Sequence, residues 1–174
     1  MDNPLFFVFL TLSYEDLNKI CIVSTVCDNP LFWQYKAYRD FGILTPTFNQ
    51  INIAQPRAKY VYLMTINPDQ GLADSARWGQ QDLANYFISK GATDFDTALG
   101  EAVKSQDLAM VKFVANKGVT HQGYNNALFI AASESNSPLI GQYLISRGAN
   151  NYKTCLAVAR LAGNENMVEL LKKF

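Results

Sequence analysis

The chain of 174 residues is long enough for one large domain, or for a small one followed by an array. At 49% apolar and 13% aromatic it is built to fold, and its 15 basic and 15 acidic residues cancel without any block of like charge, which argues against nucleic acid or an anionic membrane as partner. Three cysteines, Cys21, Cys27 and Cys155, form no C-x-x-C pair and read as small core hydrophobes of a cytoplasmic, reducing compartment; a Cys21–Cys27 disulfide is the alternative that their spacing leaves open.

Leu5 to Leu10 is an uninterrupted apolar run. It comes after Asp2 rather than a basic residue, lacks a small-x-small cleavage site and is far too short to cross a membrane, so it reads as a core helix. Ser13 is placed to cap a second helix, with Asp16 at its third position and Leu17, Ile20, Cys21 and Ser24 along one side. Asp28-Asn29-Pro30 turns the chain into a third, aromatic helix over 31–41, closed by Gly42.

Residues 43–70 are the least regular part, punctuated by Pro46, Pro56 and Pro68. Within them 57–64 is predicted to be one helix that caps the near end of the array beyond residue 70.

From residue 71 the chain repeats itself. Corresponding segments start at 79, 106, 136 and 163, so they lie 27, 30 and 27 residues apart, the last ending at Phe174. Each carries an apolar i, i+3, i+4 set: Leu83, Tyr86, Phe87; Met110, Phe113, Val114; Ile140, Tyr143, Leu144; Met167, Leu170, Leu171. Lys90, Lys117 and Arg147 suit the last turn of a helix, and Gly91, Gly118 and Gly148 suit a left-handed C-cap. A small-residue segment precedes each set, as in Ala98-Leu99-Gly100-Glu101-Ala102. Two short helices per unit, neither able to bury its face alone, predict an all-α helical solenoid with units at 71–92, 97–119, 126–149 and 154–174.

Two resemblances sharpen this. Residues 79–92 and 163–171 are similar to the second half of an ankyrin repeat, with Thr97-Ala98-Leu99 and Thr154-Cys155-Leu156 as remnants of its opening; the short period implies stubby connections. Residues 1–42 resemble an F-box: Asn3-Pro4-Leu5, Leu12-Ser13-Tyr14-Glu15-Asp16-Leu17, Ile22-Val23-Ser24 and Asp28-Asn29-Pro30-Leu31-Phe32-Trp33 keep that family's order, with the distance from Val23 to Trp33 shortened. This second resemblance implies docking of a Skp-type subunit of a cullin ubiquitin ligase through Pro4, Leu5, Leu12, Leu17, Ile20 and Val23. The pair of modules together resembles proteins of large DNA viruses of eukaryotes, which implies the host cytoplasm.

Chemistry is sparse. The lone histidine, His121, is expected in a loop from Gly118 to Gly123, and no metal cluster, cofactor motif or nucleophile–base pair accompanies it. The expectation is a non-catalytic protein-binding adaptor without cofactor or metal, or a stand-alone ankyrin-type binding or inhibitory module. Its partner-binding residues on the array are expected to be Arg77, Trp78, Phe95, Lys104, Tyr124, Glu134, Tyr152 and Arg160. Trp78 is the sharpest of them, with core packing as the alternative. An uncovered end at Leu170, Leu171 and Phe174 would favour end-to-end pairing of two copies.

Overall fold

The computed structural model describes residues 4–22, 24–134 and 137–174, and of Pro4 the backbone alone. Every regular element among them is a helix: α1 (Pro4–Leu10), α2 (Tyr14–Ile20), a 3-10 turn (Thr25–Asp28), α3 (Pro30–Phe41), α4 (Thr45–Gln50), α5 (Pro56–Thr65), α6 (Pro68–Arg77), α7 (Gln81–Ser89), α8 (Phe95–Lys104), α9 (Leu108–Ala115), α10 (His121–Glu134), α11 (Pro138–Ser146), α12 (Tyr152–Leu161) and α13 (Glu165–Leu171). The chain divides into two compact units, Met1–Ile66 and Asn67–Phe174.

All six prolines stand in the first turn of a helix: Pro4, Pro30, Pro46, Pro56, Pro68 and Pro138. There the missing N–H costs nothing and the fixed φ is already helical. For this reason Pro46 begins α4 rather than breaking the chain, and residues 43–66, expected as linker and cap, carry two helices of the first unit.

In the first unit α3 is the axis, touched by α1, α4, α5 and the 3-10 turn. Its buried Phe32 and Trp33 centre an aromatic cluster: Phe6 meets Phe32 edge-on at 5.6 Å, and Tyr60 of α5 lies 5.3 Å from Trp33 and 5.1 Å from Phe41. Burying side chains of this size contributes about 1.5–3 kcal/mol each. The polar groups carried inside with them are paired. Lys36 reaches Asp40, Tyr60 donates its hydroxyl to Asp40 at 2.6 Å, and Lys59 donates to the carbonyls of Phe48 and Asn49. Burial lowers the pKa of Lys59.

Two expectations for this unit are overturned. The α2 helix stops at Ile20, and the chain re-forms as a 3-10 turn at Thr25 instead of continuing through Ser24. Cys21 and Cys27 are joined in a disulfide, not reduced, with their Cα atoms 5.5 Å apart, so only Cys155 remains as a buried free thiol. The bridge closes the gap between helix end and turn, a constraint that no local helix pattern encodes.

The second unit is periodic in contacts as well as in sequence. The first helices touch in series, α6 to α8 to α10 to α12, and each also touches the helix after it, α7, α9, α11 or α13. Leu72, Leu99 and Leu128 occupy one buried column; Ala76, Val103 and Ala132 occupy another. Small residues set the spacing: a Cβ on Gly71 would collide with the buried ring of Phe87. The connections between units are five residues each, 90–94, 116–120 and 147–151, and contain no strand. Gly91, Gly118 and Gly148 stand in them at φ of 96, 116 and 104°, the left-handed region that lets the chain leave a helix abruptly. At the start of each repeated segment Gly79 and Gly163 are also left-handed, whereas Gln106 takes φ 59° with a full side chain; Asn136, the matching start, lies outside the described residues.

Side-chain acceptors stitch neighbouring units. Asp69 Oδ1 accepts from the backbone N–H of Thr93 (2.6 Å) and Asp94 (2.9 Å). Asp96 accepts from the Thr120 N–H at 2.8 Å and from its hydroxyl, and Asn125 Oδ1 accepts from Asn150 N–H at 2.8 Å. The two backbone bonds to Asp69 hold its carboxyl below the usual carboxylate range. The fourth helix in the series, α12, has Lys153 at this position, which accepts nothing. It also exposes Arg160 where the inner units bury Ala76, Val103 and Ala132.

Candidate binding surfaces

The array candidates separate into four kinds. Arg77 and Lys104 lie exposed on the first helices and clamp one carboxylate between them: Arg77 Nε donates to Glu101 Oε2 at 2.7 Å and Lys104 Nζ to Oε1 at 3.1 Å. Desolvation pushes the Glu101 carboxyl up, but the two cations and their hydrogen bonds outweigh it and leave it below its usual range. Exposed Glu134 ends α10, and exposed Arg160 sits near the end of α12. Trp78, the C-cap of α6, is half-buried and donates its backbone N–H to Asp74, so it is neither a free anchor nor sealed core.

Three aromatic candidates belong more to packing than to a groove. Tyr124 is buried, and its hydroxyl donates to the Ala115 carbonyl at 2.8 Å while accepting from Arg147, which also bonds Asn116. It is a buried junction between repeats and not an exposed partner-binding anchor. Phe95 opens α8, half-buried, near Gly118. Tyr152 is half-buried and stacks on Phe174 at 5.0 Å, beside a cavity of about 290 Å³ that Leu156 and Leu171 also line. Leu170 and Leu171 are buried, so the end of the unit is covered by its own side chains apart from Phe174. His121 does not lie in a loop; it begins α10, where its ring meets Asn125 one turn on. Among the described residues no three His, Cys, Asp or Glu side chains group as a metal site, and no helix is long and apolar enough to cross a membrane.

Absent from the expected set is a gradient along the first helices. In α6 and α8 the outward positions carry Asp74, Arg77, Glu101 and Lys104; α10 and α12 keep exposed Glu134 and Arg160 but add apolar surface, with Phe129 at 41% and Leu161 at 89% exposure. The repeat register holds the signal: Ser133 and Leu161 stand where Arg77 and Lys104 do.

The candidates of the first unit also split. Leu17 has no exposed surface and is core, so it cannot meet a partner; Leu12 and Ile20 are half-buried. Val23 and the Pro4 side chain lie outside the described residues. Leu5 is exposed, and it is not alone. Among the described side chains of α1 only Phe6 and Leu10 are buried, while Leu5 (52%), Phe7 (63%) and Val8 (54%) face outward, which corrects the expectation of a core helix. Nearby on α3, which α1 contacts, Leu31, Tyr35 and Tyr38 are exposed at i, i+4 and i+7. A helix without one polar side chain from Pro4 to Leu10 is ordinarily covered on all sides.

In comparisons with known proteins, no family model matches the chain, and no curated protein or solved structure does either.

Proposed function

We propose that the protein is a non-catalytic adaptor in which the second unit is a short-connection ankyrin-like solenoid and the first an F-box-like docking unit. The solenoid reading rests on the serial contacts of α6, α8, α10 and α12 and on the columns of small residues between them. Its first-helix surface is the proposed seat of a protein target, with Phe129 and Leu161 as apolar anchors and the Arg77–Glu101–Lys104 cluster as the polar end. The observation that carries the adaptor reading is the outward apolar face of α1. Leu5, Phe7 and Val8 fit a surface that meets a Skp-type subunit, and Leu17 leaves the set inferred from the F-box resemblance. The working compartment in this reading is the cytoplasm, the host's if the protein is viral.

A pull-down with purified Skp-type adaptor tests it. Binding at micromolar levels that is lost in Leu5→Asp/Val8→Asp supports the ligase link. No binding by the unaltered protein removes that link and leaves the stand-alone binding or inhibitory module, in which Leu5, Leu12 and Leu17 would all be covered; Leu17 is buried, but Leu5 is exposed. Proximity labelling in cells, with Phe129→Asp/Leu161→Asp as control, tests the target surface: proteins labelled equally by both are not held there.

A further inference from the structure

The Cys21–Cys27 bridge is not sealed inside the first unit. It forms one wall of a cavity of about 330 Å³ whose other walls include Asp28, Trp33, Gln55, Pro56 and Arg57. Both cysteines line the cavity, Cys21 half-buried and Cys27 buried, so Cys21 is the more accessible of the pair. Arg57 brings a fixed cation to the cavity: its guanidinium lies 5.8 Å from the Trp33 ring and 5.9 Å from that of Tyr14, and it donates to Asn18. Arg57 lines the same cavity as the bridge, and a cation there favours thiolate and hence its departure, against the exposed Asp28 carboxylate on the same wall. The bridge is also wired to the core, because Trp33 Nε1 donates to the Cys27 carbonyl at 2.8 Å. A bridge across a separation of only six residues constrains the unfolded chain weakly, so it contributes less as a staple than a long-range one would.

We propose that Cys21 and Cys27 form a reversible thiol–disulfide exchange site, opened by a small anionic thiol of the glutathione class that enters beside Arg57, and that it latches the α2 end onto Trp33. The thiolate attacks Sγ of Cys21. The S–S bond breaks, its electron pair leaves on Cys27 Sγ, and a mixed disulfide remains at Cys21. A second thiolate attacks the reductant's sulfur in that mixed disulfide and releases Cys21 as thiolate. The balance is one protein disulfide and two thiols giving one protein dithiol and one small-molecule disulfide, with both protons ending on the cysteines. This inference is independent of the ubiquitin-ligase reading.

The test uses the full chain under native conditions. Before reductant, N-ethylmaleimide should modify neither Cys21 nor Cys27; after millimolar reduced glutathione it should modify both, and oxidised glutathione should reverse this. Cys155 stays silent, since burial pushes its thiol up to about 11. In Trp78→Phe, which leaves Trp33 as the single tryptophan, emission should shift red on reduction and return on reoxidation. Arg57→Gln should slow reduction by glutathione about threefold, as a leaving thiolate loses its cation, and Arg57→Lys should keep the rate. Adducts at both cysteines before any reductant, or reduction only in denaturant, would overturn the site. Reduction without a change in Trp33 emission would overturn the latch, and an unchanged rate in Arg57→Gln would overturn the role of Arg57.

Discussion

Residues 4–66 and residues 67–174 each bury a core, by opposite means. The first unit uses large, individual pieces: Phe32, Trp33, Phe48 and Tyr60 fill it, one disulfide pins a corner, and a lysine is carried inside on two carbonyls. The second uses small pieces repeated: Leu72, Leu99 and Leu128 in one column, alanines and glycines in others, and one side-chain acceptor per junction. Aromatic cores are defined by long-range partners that occur once, whereas a repeated core is defined by its neighbours, so the same residue types recur at the same offsets. The difference teaches where each unit is vulnerable.

Removing a unique piece should cost most. Trp33→Ala is expected to lose about 4 kcal/mol in urea unfolding, since it empties the centre of the cluster and orphans the Cys27 carbonyl. Leu128→Ala should lose about 3 kcal/mol, with Leu99→Ala alike, because the columns are equivalent. If the two leucines differ by more than the Trp33 change itself, the repeat is not uniform in energy and the contrast between the units fails. Asp96→Ala should lose about 1–2 kcal/mol by freeing the Thr120 N–H and hydroxyl, with amide exchange rising at residue 120 and not within α12.

The pH dependence should separate the units by window, acid for the second and alkaline for the first, with stability rising with pH in both. Asp69 and Glu101 of the second unit have folded pKa values below their ordinary ones, so their contribution is whole above about pH 4–5 and is lost as pH falls through the depressed values. Lys59 of the first unit is also shifted down, from a much higher ordinary value. The unfolded chain then holds the extra proton between that lowered value and the ordinary 10.5, and stability gains with pH across this window. Residue-resolved exchange across acid and alkaline ranges should find the second unit loosening first in acid; loosening of the first unit alone would contradict this. The smallest effect is a gain. Gln106 holds φ 59° where Gly79 and Gly163 do the same job without a Cβ, so Gln106→Gly should stabilise by about 0.5–1 kcal/mol in urea unfolding.

The repeats, the helical faces over 83–87, 110–114, 140–144 and 167–171, the left-handed glycines and the Ser13 cap were legible in residue order alone, because each is local: it needs only spacing and side-chain type. Pro46 as a helix start was less so, since proline ends one element and begins another with the same fixed φ. The burial of Leu17 and Tyr124, the exposure of Leu5, Phe7 and Val8, and the pairing of Cys21 with Cys27 were decided only by the tertiary structure. Each depends on which distant residue arrives opposite, Arg147 and Ala115 for Tyr124, α3 for α1, and a hydrophobic residue is written the same way whether a neighbour covers it or solvent does.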